Sequence, residues 1–219
     1  MAKFDLKNLD KIIRILRKET IRYRKPVISF VADYSKNDPF LILISCILSL
    51  RTQDKVTAQA TRRLFHLAKT PEEMVELSTR DIEKVIYPVG FYRIKAKNIK
   101  RICKILIEKF GGRVPDDLDT LLSLPGVGRK TANLVLTEGF NKLGICVDTH
   151  VHRISNRLGL VRTKNPQETE FSLRKNLPKK YWKEFNYLLV TYGQNICKPI
   201  KPLCSLCKIF PYCLRMGVK

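Results

Sequence analysis

The stretch 118–136, LDTLLSLPGVGRKTANLVL, determines how we interpret this sequence. Its apolar residues recur at helical spacing on both sides of a PGVG turn, which predicts two amphipathic helices joined by a tight hairpin over about residues 117–136. We expect Pro125 to end the first helix and Gly126 and Gly128 to adopt positive φ. The N–H groups of the turn, Val127 included, then line a concave site for an anion at the positive end of the second helix. The alternative is an ordinary turn between packed helices.

The charge of the chain indicates which anion to expect. Lys and Arg number 42 against 20 Asp and Glu, a net charge of +22 whose self-repulsion a polyanion would offset. Nucleic acid is the leading candidate, and a Lys-rich but merely solvated surface is the alternative. The longest apolar run, 40–50, is too short to span a bilayer, and the N-terminal residues lack the pattern of a secretory signal. We therefore expect an intracellular protein, in the cytoplasm or nucleoid, that binds nucleic acid and no membrane. We also expect it to be a monomer.

Helical periodicity covers nearly the whole chain, and strand patterns are almost absent. The predicted helices cover 9–16, 40–50, 55–67, 72–77, 81–87, 94–110, 117–124, 129–139, 149–158, 167–175 and 180–192. Many short helices with tight connections indicate an all-α protein. Since no low-complexity linker interrupts them, a second lobe would have to share chain with the first.

Two residues near the hairpin have the chemistry of a catalytic pair. Lys130 follows the turn directly, where the helix end, neighbouring cations and burial should lower its pKa and produce the neutral amine that a nucleophile requires. Asp148 precedes a predicted helix, and its carboxylate could stabilise a positively charged sugar as a base departs. The alternatives are that Lys130 only contacts a phosphate, like Arg129 beside it, and that Asp148 only caps a helix. A phosphate contact is also predicted for His150 in preference to His152.

Four cysteines cluster near the end of the sequence with the spacing C-x6-C-x2-C-x5-C. They are Cys197, Cys204, Cys207 and Cys213. Four thiolates can hold one metal centre; zinc and a 4Fe-4S cluster are both chemically allowed, and the spacing alone favours zinc. The other three, Cys46, Cys103 and Cys146, stand singly among apolar residues and should be buried thiols.

The segment LPGVGRKTAN, followed after one helix and a loop by VDTHV, resembles the helix-hairpin-helix region of the endonuclease III family of DNA glycosylases. The resemblance covers roughly residues 10–215 and includes the cysteine spacing. It implies a two-lobed, all-α endonuclease III-like fold with a helix-hairpin-helix motif and a C-terminal iron-sulfur cluster loop. A six-helix barrel of residues 32–142 would be inserted between segments 1–31 and 143–219, which carry the 4Fe-4S cluster on the four cysteines.

The same resemblance implies a function. Lys130 matches the lysine of bifunctional members, and Asp148 matches the catalytic aspartate. The implied activity is that of a DNA glycosylase and AP lyase of base excision repair. It removes oxidised or ring-saturated pyrimidines through a lysine Schiff base and β-elimination. Its partner is double-stranded DNA that contains damaged bases or abasic sites.

A base inside a duplex must be extruded before a lysine can reach its sugar, and two loops are fitted for this. The loop SLRTQD, 49–54, resembles the family's gap-filling loop, in which Gln usually stands at the position of Arg51. This departure leaves either Arg51 or Gln53 to fill the gap, unless the loop is merely a solvated helix end. In the segment 87–96, Phe91 would be the wedge that unstacks the neighbouring step, unless it is a core aromatic.

Two rival functions remain at this point. A mismatch glycosylase that removes thymine or uracil opposite guanine is the nearest, because Arg51 could change which opposite base is read. A non-catalytic, DNA-binding iron-sulfur protein is the other.

Overall fold

The computed structural model describes residues 4–218, and every regular element in that part of the chain is helical. The prediction of an all-α protein is confirmed. The α-helices are α1 Leu9–Thr20, α2 Val27–Tyr34, α3 Pro39–Ser49, α4 Asp54–Leu67, α5 Pro71–Glu76, α6 Thr79–Ile86, α7 Tyr92–Phe110, α8 Leu118–Ser123, α9 Arg129–Leu134, α10 Thr149–Leu158, α11 Pro166–Asn176 and α12 Trp182–Asn195. A π-helical segment, Val135–Gly139, continues α9, and short 3-10 turns lie at Leu6–Asn8, Lys179–Tyr181, Cys204–Leu206 and Phe210–Tyr212.

The chain forms two compact units. The middle unit is Val27–Gly144, and the terminal unit combines Met1–Pro26 with Ile145–Lys219. The boundary expected at residue 32 would cut through α2, which packs against α3 and α4 as one helix. The middle unit therefore begins at Val27, where α2 begins.

Several helices begin at residues whose side chains cap them. Ser78 caps α6, since its Oγ accepts a hydrogen bond from the Asp81 N–H at 3.1 Å. Asp117 caps α8 in the same way through the Thr120 N–H at 2.8 Å. Each such cap contributes on the order of 1 kcal/mol by pairing a donor that the helix itself leaves free.

Helix α3 is the centre of the middle unit. All its residues from Phe40 to Leu48 are buried, and it packs against α2, α4, α7, α9 and the π-helical segment. Complete burial of one aliphatic side chain is worth roughly 1.5–3 kcal/mol, so α3 is the main apolar contribution to this unit. The terminal unit has its own core, in which α12 packs against α1 and α10 around Leu16, Ile154 and Phe185.

Three basic side chains bind carbonyl oxygens at the ends of helices. Lys95 binds carbonyl oxygens at the end of α3, Lys100 does so at the end of α5, and Arg63 does so at the end of α6. Each cation lies at the negative end of a helix and satisfies oxygens that have no partner within it. Among the described helices, none is both long and apolar enough to cross a bilayer.

Candidate functional site

The hairpin between α8 and α9 lies at 124–128, as predicted. Gly126 has φ 79°, but Gly128 has φ −102° and ψ 176°, so the expectation of positive φ is wrong at Gly128. The reason is that Gly128 is the N-cap of α9, and an N-cap residue has extended backbone. No side chain caps α9 from this position, and a Cβ added at Gly128 would meet nothing within 4 Å. Gly128 is therefore exposed, with open space where a side chain would stand.

Lys130 lies in the first turn of α9, half-buried, beside the half-buried Arg129. Its charge acts on the buried thiol of Cys46 in α3: burial raises the pKa of Cys46 to about 12, and Lys130 opposes that rise. Glu138, in the π-helical segment, acts on the same thiol in the other direction. π-helical turns are frequent at functional sites, and neither this turn nor the position of Glu138 beside Cys46 is predicted from the sequence.

Asp148, in the terminal unit, is the N-cap of α10. Its Oδ1 accepts hydrogen bonds from the N–H groups of His150 at 2.8 Å and Val151 at 2.9 Å. These bonds fix the carboxylate at the helix start through one oxygen, so Oδ2 takes no part in the cap. Both donors belong to the first turn of α10, so the carboxylate lies at the positive end of this helix.

The two histidines of α10 have different surroundings. His152 Nδ1 lies 2.7 Å from the Thr169 hydroxyl, which ties α10 to α11. His150 Nδ1 lies 3.0 Å from Nη2 of Arg153, whose guanidinium also binds the carbonyl oxygen of Cys197 at 2.8 Å. Because a guanidinium only donates, Nδ1 of His150 accepts this bond, and the proton of the neutral ring is on Nε2.

Arg51 and Phe91 are neighbours on the surface of the middle unit. Phe91 is 57% exposed, so the alternative of a core aromatic is wrong. The Arg51 guanidinium carbon lies 5.5 Å from the centre of the Phe91 ring, within the range of a cation–π contact. Gln53, also exposed, is the N-cap residue of α4.

The four C-terminal cysteines are half-buried and line one cavity together with Arg157 and Tyr192. Cys197 Sγ accepts a hydrogen bond from Arg157 Nη1 at 3.3 Å, and Cys207 Sγ accepts one from the Tyr192 hydroxyl at 3.3 Å. Burial raises the pKa of the Cys207 and Cys213 thiols. Within residues 4–218 no three His, Cys, Asp or Glu side chains are gathered as a site for a single metal ion. The other cysteines, Cys46, Cys103 and Cys146, are buried, as predicted.

The family model described as HhH-GPD superfamily base excision DNA repair protein matches residues 44–179. The chain belongs to this family. The match includes the hairpin, Lys130 and Asp148, and it ends before the four cysteines. The HhH-GPD match therefore covers the part of the chain that holds these residues and does not extend to the cysteine loop.

Individual HhH-GPD proteins agree with this assignment. Endonuclease III of Thermotoga maritima is 50% identical over 190 residues, which cover 87% of this chain and 89% of that protein. A solved non-covalent endonuclease III–DNA complex is similar with 34% identity, a TM-score of 0.84 and coverage of 94% of both chains. A trapped endonuclease III–DNA covalent intermediate is similar with 40% identity and a TM-score of 0.76, over 80% of this chain and 83% of that one.

Proposed function

We propose that this chain is a bifunctional DNA glycosylase and AP lyase that removes oxidised or ring-saturated pyrimidines from double-stranded DNA. The observation that carries the proposal is the position of Lys130, a half-buried amine in the first turn of a helix whose N-cap is a bare glycine. A relative 40% identical to this chain has been trapped covalently on DNA, and such trapping requires a nucleophile.

In the proposed reaction, neutral Lys130 attacks C1′ of the damaged nucleotide. The bond from Nζ to C1′ forms as the bond from C1′ to the base breaks, and the base leaves with the bonding electrons. Ring opening gives a Schiff base between Lys130 and the sugar. Loss of a proton from C2′ then expels the 3′ phosphate by β-elimination. Hydrolysis of the remaining imine frees the lysine.

Asp148 would stabilise the positive charge that develops on the sugar as the base departs. Its cap hydrogen bonds hold the carboxylate in place at the start of α10. The sugar-phosphate chain would be held by the N–H groups of Gly126 and Gly128 and by the side chain of Arg129. The N–H of Val127, also expected in this role, instead donates to the Leu124 carbonyl oxygen at 3.1 Å within the turn.

His150 would add a further phosphate contact through Nε2, since Nδ1 is engaged with Arg153. For base extrusion we propose Phe91 as the wedge and Arg51, in preference to Gln53, as the side chain that fills the gap. Arg51 already lies against the exposed Phe91 ring, whereas Gln53 is at the start of α4.

The four C-terminal cysteines would hold a 4Fe-4S cluster. All four line one cavity, and Arg157 and Tyr192 donate hydrogen bonds to Cys197 Sγ and Cys207 Sγ, as outer partners of metal-binding thiolates do. When bound, the cluster would supply structural support by fixing this loop. The exposed side chains of Lys198, Lys201 and Lys208 would then be held in position to contact a DNA backbone. Iron and sulfide analysis of the purified protein tests this assignment, because about four of each per chain are expected and a single zinc ion would contradict it.

Borohydride trapping on a panel of duplexes tests the activity. We expect a covalent adduct and strand cleavage with thymine glycol, no adduct with Lys130→Gln, and full activity in Lys104→Gln, which removes an exposed lysine of α7. Undiminished cleavage by Lys130→Gln would contradict the role of Lys130. Activity confined to G·T and G·U duplexes would identify a mismatch glycosylase instead, and binding without any product would identify a non-catalytic DNA-binding protein.

A further inference from the structure

A buried lysine lies beneath the two surface loops that carry Arg51 and Phe91. Lys95, in the first turn of α7, is only 5% exposed. Its Nζ donates hydrogen bonds to the carbonyl oxygens of Leu48 at 2.9 Å and Leu50 at 2.5 Å and to Oγ1 of Thr52 at 3.2 Å. A buried ammonium is costly unless its donors are paired, and these three partners use all three of them.

The Thr52 hydroxyl extends this connection to the second loop. Its Oγ1 accepts a hydrogen bond from the Gly90 N–H at 3.2 Å, one residue before Phe91. The backbones also touch: a Cβ at Gly90 would lie 2.6 Å from the carbonyl oxygen of Arg51. The loop that carries Arg51 and the turn that carries Phe91 are therefore joined by Lys95, by Thr52 and by direct backbone contact.

Above this connection, Arg51 and Phe91 share an unusual backbone conformation. Their φ angles are 51° and 57°, in the left-handed region that non-glycine residues rarely adopt. Such residues persist only where the surrounding structure holds them. Because both are strained and both are exposed, the hydrogen bonds beneath them maintain a surface feature and contribute to the core only secondarily.

We propose that Lys95 is a positioning residue for base extrusion. It holds the Arg51 loop against the Phe91 turn, so that both side chains are presented to the duplex as one preassembled unit. Preorganisation removes the cost of ordering two loops at the moment when the base leaves the stack. This inference rests on the proposed function, because it assigns Arg51 and Phe91 to extrusion.

A matched control lies on the same helix. Lys100 also belongs to α7 and also donates to two carbonyl oxygens, those of Val75 and Leu77, but these are at the end of α5. Lys100→Met removes a comparable helix-end contact that does not involve either loop. Lys95→Met removes the connection itself. Thr52→Val keeps the size of the side chain but removes the hydroxyl that both Lys95 and Gly90 bind.

Two readouts separate positioning from general stability. The first is the fluorescence rise of 2-aminopurine placed opposite a tetrahydrofuran abasic analogue in a duplex, which reports penetration of the stack without any chemistry. The second is β-elimination at an abasic site in single-stranded DNA, which needs no extrusion from a stack. We expect Lys95→Met and Thr52→Val to slow the fluorescence change about tenfold, while their single-strand cleavage stays within about twofold of wild type. Lys100→Met should change neither readout by more than about twofold.

The proposal is overturned if Lys95→Met and Lys100→Met slow the fluorescence change equally, because lost stability would then explain the slowing. A normal fluorescence rate in Thr52→Val would also overturn it, and this variant decides the matter if Lys95→Met does not fold. If the wild-type protein cleaves neither single-stranded nor duplex abasic DNA, the proposed lyase function fails. The fluorescence readout still tests the role of Lys95 in that case.

Discussion

Gly126 packs so closely against Asn98 that a Cβ at Gly126 would lie 2.6 Å from Asn98 Nδ2. At Gly128, two residues later, a Cβ would meet nothing within 4 Å. An added Cβ would displace the end of the Asn98 side chain, and the left-handed backbone at Gly126, φ 79°, itself favours glycine. The second glycine has no such requirement, and we attribute it to the approach of a DNA phosphate.

Alanine at Gly126 should mainly lower stability, whereas alanine at Gly128 should mainly weaken DNA binding. Gly126→Ala combines a steric conflict with a left-handed backbone and should lower the free energy of unfolding by about 1–2 kcal/mol or more. Gly128→Ala should cost less than about 1 kcal/mol but weaken binding to a duplex with an abasic analogue about tenfold. Denaturant unfolding and fluorescence anisotropy measure the two quantities. Wild-type affinity in Gly128→Ala would contradict a phosphate contact at this position.

Two substitutions separate the charge of Asp148 from its cap. Asp148→Asn keeps an oxygen that can accept from His150 and Val151, so its stability should stay close to wild type, whereas Asp148→Ala should lose about 1 kcal/mol. Both should slow base removal at least about 100-fold, because both remove the carboxylate charge. Single-turnover kinetics on a thymine-glycol duplex measures this. A normal rate in Asp148→Asn would leave Asp148 with only a capping role.

The stability that depends on Lys95 should rise with pH. Burial lowers the pKa of Lys95 from 10.5 to about 8, and all three partners of its Nζ are uncharged. Below pH 8 the folded and unfolded chains both hold this proton. Between pH 8 and 10.5 the folded chain has released it and the unfolded chain retains it, so folding is favoured as pH rises.

We therefore expect the free energy of unfolding of wild type, measured relative to Lys95→Met, to increase between about pH 7 and about pH 10. Denaturant unfolding of both proteins at the two pH values tests this, and the comparison cancels the titration of the other groups. A difference that stays constant or falls over this range would show that the pKa of Lys95 is not lowered.

Arg157 should be needed for a filled cluster loop. Its guanidinium is 9% exposed and binds Cys197 Sγ and the carbonyl oxygens of Lys198 and Pro199, at 2.7 Å and 2.8 Å for the two oxygens. Arg157→Met should lose hydrogen bonds to a charged group worth roughly 1.5–3 kcal/mol and, with them, most of the bound iron. The control is Arg101→Met, which removes an exposed arginine of α7 in the middle unit. Full iron content in Arg157→Met would contradict this role.

Elements with local signals could be predicted from the sequence. The hairpin at 124–128 depends on neighbouring residues, and the structure has it where the sequence predicts it. Helix α2, Val27–Tyr34, was not predicted. Its β-branched and aromatic residues, VISF, favour strands, and its first N–H is bound by the distant Asp54 side chain at 3.2 Å. Tertiary contacts stabilise this helix against its local preference.

Some residues of the candidate site could likewise be predicted from the sequence, and others could not. Lys130 and Asp148 stand in short motifs, so they could be selected from sequence. Lys95 could not, because a lysine in the helix KAKNIK looks like a solvated residue, and its partners lie 43–47 residues earlier in the chain. The contact of Arg51 with Phe91 and the open approach to Gly128 likewise exist only once the chain has folded.

The most direct test of the account is to identify the residue that becomes attached to DNA. A thymine-glycol duplex is incubated with the protein and borohydride, the adduct is digested, and the modified peptide is sequenced by mass spectrometry. We predict a reduced sugar adduct on Nζ of Lys130. An adduct on another side chain or on the N-terminal amine, or strand cleavage that proceeds without any trapped adduct, would contradict it.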